Sequence, residues 1–224
     1  MVALKQIDLS ANENFDQDSL FTRIANDLQV QGFSIQECAL PSRIAEALSA
    51  YQLSLNSHTY QPAGVGRGSD LNQNEVVRNN AIRWITADSP AGQLWLDWAA
   101  QLQSFLNHRL FLGLFSFESH FAHYAPGQFY KRHYDAFKGQ ANRRLSIVTY
   151  FNPQWQNEYG GELVLYKHDD DHVGIKVLPQ FGTLVVFLSD EFPHEVLPAS
   201  RDRYSIAGWY RVNTSTHCTI DPPD

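Results

Sequence analysis

His133-Tyr134-Asp135, then His194, then Arg203, are the residues of this chain whose types and spacing could do chemistry. In a β-strand, two side chains separated by one residue emerge on the same face, so His133 and Asp135 are expected side by side. His194, roughly sixty residues on, supplies a second imidazole able to close a triangle around an ion. Two imidazoles and one carboxylate on one face of a cation leave its opposite face open, a donor set that suits non-heme Fe(II). Arg203, nine residues past His194, adds a permanent positive charge. That charge points to an organic anion, together with O2, in the open positions.

Spacing alone is weak support. Nine histidines and 24 acidic residues in 224 positions produce about one His-x-acid pair by chance. A second such pair indeed exists in His168-Asp169-Asp170-Asp171-His172. Three successive aspartates repel one another and disfavour a packed strand, so this run reads as a solvated hairpin tip between Val164-Leu165-Tyr166 and Gly174-Ile175-Lys176. Taken alone, His133 is equally well read as an ordinary strand histidine. Its neighbours downstream shift the balance. His194 follows Thr183–Leu188, an almost unbroken apolar strand, and is well placed to enter a cavity. Arg203, Ser205, Ala207 and Trp209 share one face of the last strand by period two. An arginine on the inner face of a barrel is costly unless an anion pairs with it. A dicarboxylate ligand, which guanidinium binds bidentately, and an internal Asp or Glu are the two candidates.

The elements that must position these residues fall into two halves. The first is helical. A helix with Leu20, Ile24 and Leu28 on one face starts near Ser19, and Gly32 ends it as a C′ glycine. Phe33-Ser34-Ile35 is a short strand. A second helix opens at Pro41-Ser42 with Ile44, Ala47, Leu48 and Tyr51 on one face, and a third runs from Pro90 to Asn107 with Leu94, Trp98, Leu102 and Phe105. Between them, Gln61–Asn80 is rich in Gly, Asn and Arg and aperiodic, the mark of a long functional loop. From Phe117 onward the chain breaks into short strands: Phe121–Tyr124, Arg144–Phe151, Gly161–Tyr166, Gly174–Leu178, Thr183–Leu188, His194–Leu197 and Arg203–Val212. Helices first and strands later imply a mainly β, α+β fold: a double-stranded β-helix, or jelly roll, braced by N-terminal helices, and not a parallel α/β sheet. The expected organisation is one domain over 1–224: helical support and substrate loop (1–115), jelly-roll core (116–212) and tail (213–224).

Composition narrows the function classes. A net charge of −7 argues against general nucleic-acid binding, which needs a basic field. No apolar run reaches membrane-spanning length, and no signal peptide is read at Met1–Lys5. Cys38 and Cys218 read as reduced thiols, consistent with a cytoplasmic protein. The Gly64–Gly68 run lacks the strand–turn–helix context of a nucleotide fingerprint. Nothing in the chain specifies an oligomeric state.

Together, four stretches resemble the iron(II)- and 2-oxoglutarate-dependent dioxygenases, and most closely the hypoxia-sensing type of prolyl hydroxylase with its bacterial relatives. They are Tyr124-Ala125-Pro126-Gly127 with Tyr130–Asp135; Thr149-Tyr150-Phe151-Asn152 with Trp155; Gly160-Gly161-Glu162-Leu163; and Pro193-His194-Glu195-Val196 with Arg203-Tyr204-Ser205-Ile206 and Trp209-Tyr210. The resemblance covers roughly residues 20–212. It implies that His133, Asp135 and His194 bind Fe(II) as the catalytic triad. Arg203 and Tyr150 would hold the far carboxylate of the cosubstrate 2-oxoglutarate, with Tyr124 nearby and Trp209 lining the pocket. O2 would be the second cosubstrate and ascorbate (vitamin C) an auxiliary reductant. Asp135 favours hydroxylation, because related halogenases replace that carboxylate. The implied substrate is a proline in a partner protein or peptide, such as a translation factor, with Gln61–Asn80 as the lid. A free amino acid or other small molecule is the alternative substrate, and a non-catalytic metal-binding jelly roll the alternative class. One stretch departs from the pattern. Asn79-Asn80 stands where relatives carry Gly-Asp, an aspartate that an arginine on the sheet holds; Arg143 is the candidate here.

Overall fold

The computed structural model describes residues 9–63, 76–136 and 142–213. Among the described residues the first half forms three α-helices: α1 (Leu9–Gln31), α2 (Ser42–Ser54) and α3 (Pro90–Leu110). The strands are β1 (Phe33–Gln36), β2 (Gln61–Pro62), β3 (Ala81–Trp84), β4 (Leu114–Tyr124), β5 (Tyr130–His133), β6 (Arg143–Tyr150), β7 (Leu163–Leu165), β8 (Ile175–Val177), β9 (Leu184–Leu188), β10 (His194–Val196) and β11 (Arg203–Val212). Among the described residues, no helix is long and apolar enough to cross a membrane.

The strands form two antiparallel sheets. The larger has the order β1-β9-β6-β11-β4-β3-β2 and the smaller β5-β10-β7-β8. From β4 to β11 the chain passes back and forth between them, which is the winding of a jelly roll. Period two then divides the larger sheet's residues between two cores. Leu145 and Ile147 of β6, Leu184 and Val186 of β9, and Ile206 and Tyr210 of β11 turn outward and pack against the helices. Ala122, Tyr124, Tyr150, Val185 and Phe187 turn inward and pack against Leu163, Leu165, Val177 and Val196 of the smaller sheet. The helices therefore brace the back of the larger sheet, and the space between the sheets is left for the site.

Helix ends follow the expected chemistry. Gly32 sits at φ +79° and returns its N–H to the Leu28 carbonyl at 3.1 Å. Ser89 caps α3 by accepting from the Gly92 N–H at 3.0 Å, with Pro90 in the first turn. The buried face of α3 is Trp95, Trp98, Ala99, Leu102 and Leu106. It is turned by about one residue from the expected stripe, because Trp95 and Trp98 stack with ring centroids 5.4 Å apart and carry Leu94 and Phe105 to the flank.

Two further departures concern the edges. β2 and β3 pair at Gln61↔Ile82 and Pro62↔Ala81 and extend the larger sheet beyond β4. Neither strand was expected, as both are too short to show a period. Residues 64–75, the centre of the expected lid and of the Gly64–Gly68 run, lie outside the described residues, as does the tail beyond 213.

Candidate active site

His133 and His194 face each other directly across the β5–β10 ladder, as Cα partners. β5 ends at His133, so Asp135 is not on the same strand face by period two; it lies in the bend that follows. That bend carries its carboxylate to the two rings. Its oxygens lie 3.6 Å from His133 Nε2 and 3.5 Å from His194 Nε2. One ligand-type atom from each of the three residues falls within 4.8 Å of the others, a spacing that one ion can bridge.

Both imidazoles are held by their other nitrogen. His133 Nδ1 lies 2.7 Å from the Lys131 carbonyl oxygen, and His194 Nδ1 3.1 Å from that of Phe192. A carbonyl only accepts, so Nδ1 carries the proton and Nε2 offers its lone pair to the shared space. The rings are fixed by stacking, His133 on Tyr130 at 3.5 Å and His194 edge-on to Phe187 at 4.8 Å. Burial, reinforced by His133, pushes the His194 imidazole down to about 4, so it is neutral at neutral pH. Burial alone would raise Asp135. Contacts with His194, His133 and Arg143 outweigh it and hold the carboxyl well below its usual range. A neutral His194 imidazole beside an ionised carboxylate is the state a metal ligand pair requires. Ser146 adds a positioning bond, donating to Asp135 Oδ2 at 2.6 Å while sharing a hydrogen bond with Ser189 at 2.9 Å. Ser146 was not singled out in the sequence, although a polar residue between Leu145 and Ile147, two positions before Val148 on the inward face, was a signal.

Arg203 begins β11 opposite Tyr124 of β4, and its side chain is 1% exposed. Its Nε donates to the Gly161 carbonyl at 2.8 Å and its Nη1 to Ser205 Oγ at 3.2 Å. The Tyr124 and Tyr150 rings lie 5.0 and 5.1 Å from the guanidinium carbon. Among the described residues no carboxylate forms an ion pair with it. Tyr150, opposite Ser205 on β6, is wholly buried with a hydroxyl that has no partner. A buried guanidinium without an anion and a buried hydroxyl without an acceptor are both costly. One carboxylate bound between them would satisfy both, so these residues fit the far end of a 2-oxoglutarate molecule. The close approach depends on Gly161 at φ +75°, where an added Cβ would sit 2.9 Å from Ala199 Cβ and 3.3 Å from Arg203 Cδ.

Trp209 pairs with Ser146 across β6 and β11, which places it on the inward face beside the triad's support. Its indole nitrogen is buried without a partner, and the Arg143 guanidinium lies 3.7 Å over its ring. Arg143 does not reach Asn80. It is bonded to Glu118 Oε1 at 2.7 and 3.0 Å, because β11 and β4 separate β6 from β3 in the sheet. Asn80 instead accepts from Arg78 Nε at 2.7 Å. Asn79 accepts from the Phe129 N–H at 2.9 Å, tying this stretch to the approach to β5.

Two sheets enclosing an open His–Asp–His face, with a buried cationic pocket nearby, define a jelly-roll protein whose residues could hold a metal and an organic anion together. Comparison with known proteins agrees. The family model of the 2OG-Fe(II) oxygenase superfamily matches residues 119–211. The crystal structure of a Pseudomonas putida prolyl-4-hydroxylase is similar at 39% identity and TM-score 0.75, covering 86% of this chain and 98% of that one. A Trichoplax adhaerens prolyl hydroxylase, solved with a hypoxia inducible factor peptide fragment, is similar at 26% identity and TM-score 0.74, covering 92% and 94%. Rat Egl nine homolog 1 is 33% identical over 85 residues, 38% of this chain. The chain belongs to the 2OG-Fe(II) oxygenase superfamily. It spans only about a quarter of the length of the rat protein, where 25% is matched.

Proposed function

We propose that this protein is an Fe(II)- and 2-oxoglutarate-dependent dioxygenase that hydroxylates a proline in a partner protein, with a translation factor as the first candidate. The observation that carries the reading is the pairing of the open triad with Arg203 and Tyr150, a cationic pocket to which no carboxylate among the described residues is paired. The similarity to prolyl hydroxylases from Pseudomonas putida and Trichoplax adhaerens supports proline as the target.

In this reading His133 Nε2, His194 Nε2 and the Asp135 carboxylate hold the metal. Arg203 and the Tyr150 hydroxyl fix the far carboxylate of the cosubstrate, and Tyr124 walls its pocket. When bound, Fe(II) with 2-oxoglutarate would supply the oxidation, one oxygen atom of O2 going to succinate, with the cosubstrate's own carboxylate leaving as CO2, and the other to the new hydroxyl group. The chain's own contribution is orientation: Nδ1 bonds that aim the imidazoles, a serine that steers Asp135, and apolar walls that exclude water. Trp209 lines the pocket near the metal, and ascorbate serves as auxiliary reductant. The helices before residue 116 brace the catalytic core of 116–212, in a cytoplasmic protein.

Purified protein with Fe(II), 2-oxoglutarate and prolyl peptides from translation factors tests this. The expected result is succinate release together with a peptide heavier by one oxygen atom on proline. Succinate release without any modified peptide would sink the prolyl assignment while leaving the dioxygenase; no succinate under any condition would sink both.

A further inference from the structure

The acidic run 168–172 is the tip of the β7–β8 hairpin, as its composition suggested. It is more than a solvated turn. The hairpin holds the chain neighbours of all three triad residues. Arg132, before His133, donates Nη1 to the Asp171 carbonyl at 2.8 Å and Nη2 to the His168 carbonyl at 2.7 Å. Tyr134, between His133 and Asp135, donates its hydroxyl to Asp169 Oδ1 at 2.8 Å. Around His194, Tyr166 donates its N–H to the Pro193 carbonyl at 2.8 Å and its hydroxyl to Glu195 Oε1. The Arg132 guanidinium also lies 3.8 Å over the Tyr166 ring, so the contacts on the two metal strands meet.

The tip is built to keep its shape while doing this. The Asp171 carboxylate accepts from the Lys167, Val173 and Gly174 N–H groups, each at 3.0 Å. Those three bonds hold Asp171 well below the usual carboxylate range, so it stays ionised and the loop stays closed. β5, by contrast, is a poor platform by itself. It has four residues, an irregular register with β10 at only two partner positions, and on its other side the isolated Arg78–Tyr130 bridge with one backbone bond beside it, from the Lys131 N–H to the Val77 carbonyl at 2.9 Å. Asp135 lies beyond its end. A short edge strand followed by a bend cannot set a metal ligand to the tolerance that coordination demands.

We propose that the Tyr166–Gly174 hairpin is the positioning element of the metal site, holding His133, Asp135 and His194 in their ligating arrangement before any ion binds. The inference rests on the metal-binding reading of the triad and adds to it a part that touches neither ion nor substrate. Partners that orient metal ligands are worth about 10- to 100-fold in metal affinity when removed, and the hairpin bonds act one step further out.

The test is Mn(II) binding to the metal-free full chain, followed by the electron paramagnetic resonance signal of free Mn(II), with the melting temperature of each metal-free variant alongside. Wild type should bind one ion, and His133→Ala should bind none. Tyr134→Phe keeps the ring and loses one hydroxyl; Asp171→Ala unlocks the tip. Each is expected to weaken Mn(II) binding about tenfold. Asp170→Ala, in the same tip but outside these bonds, is expected to leave it unchanged. Tyr134→Phe and Asp169→Ala combined should cost no more than either alone. Should Asp171→Ala fail to fold, the Tyr134–Asp169 cycle decides. Wild-type Mn(II) affinity in Tyr134→Phe and Asp171→Ala overturns the hairpin's role and leaves the metal site standing. Failure of the wild type itself to bind Mn(II) overturns both.

Discussion

Replacing Tyr150 by phenylalanine removes one oxygen atom, and the structure predicts opposite signs for stability and for ligand binding. The hydroxyl is buried on the inward face of β6 and has no partner. Burial raises its pKa above the usual tyrosine value against the opposing pull of Arg203, so it stays a protonated donor. Leaving such a group unsatisfied costs about 1–3 kcal/mol. Phenylalanine fills nearly the same volume without that cost, so the ligand-free variant should gain roughly 1 kcal/mol, or about 2–4 °C in melting temperature for a chain of this size. In the proposed reading, the same hydroxyl would donate to a carboxylate of bound 2-oxoglutarate, a bond of about 1.5–3 kcal/mol. Its loss should weaken 2-oxoglutarate binding about 10- to 150-fold. Differential scanning fluorimetry of the metal-free protein reads the first quantity. Calorimetric titration of 2-oxoglutarate into the anaerobic Mn(II)-loaded protein reads the second. A Tyr150→Phe protein that melts several degrees lower and binds 2-oxoglutarate as wild type does would refute the reasoning, because Tyr150 would then be a packing residue only.

Two other perturbations follow from the same geometry. Gly161→Ala introduces a side chain at φ +75° that meets Ala199 and the Arg203 side chain. It should destabilise the protein by about 1–3 kcal/mol and raise the KM for 2-oxoglutarate more than tenfold, with metal affinity kept; an unchanged KM would show that Arg203 does not depend on that approach. His120 is buried on β4, and burial, with the charges of Arg78 and Arg143, pushes its imidazole down to about 3. An unfolded histidine titrates near 6.5, so between those values the unfolded chain binds the extra proton. Stability is then lost as pH falls below about 6.5, at up to about 1.4 kcal/mol per pH unit from this group. Urea midpoints at about pH 7 and about pH 5 should differ less in His120→Phe than in wild type; equal differences would mean that His120 is protonated in the fold.

Much of this arrangement is legible from residue types. The Val, Ile, Tyr and Phe content of Arg144–Phe151 and Arg203–Val212 marks strands, and the structure divides their two faces between the helices and the smaller sheet. Gly32 ends a helix by local chemistry that needs no partner. Elements with little local signal were missed: β2 has two residues and β3 four, and both exist because β4 offers an unpaired edge. The stripe on α3 was displaced because stacked tryptophans, a tertiary contact, choose which side of the helix turns inward.

The site divides the same way. The residue types alone determined that the chain carries two imidazoles, a carboxylate and a distant arginine in an order that one sheet pair could gather, because donor chemistry is a property of side chains. Only the tertiary structure decided how they meet. Strand pairing put His133 opposite His194, a bend rather than strand periodicity brought Asp135 to them, and two intervening strands kept Arg143 from Asn80. The acidic hairpin shows the limit most plainly. Its composition signals a solvated turn, and nothing in the order of residues says that Arg132 and Tyr134 bond to it. Contacts between segments roughly thirty-five residues apart arise from how the sheets fold over one another, and periodicity, which is local, carries no record of them.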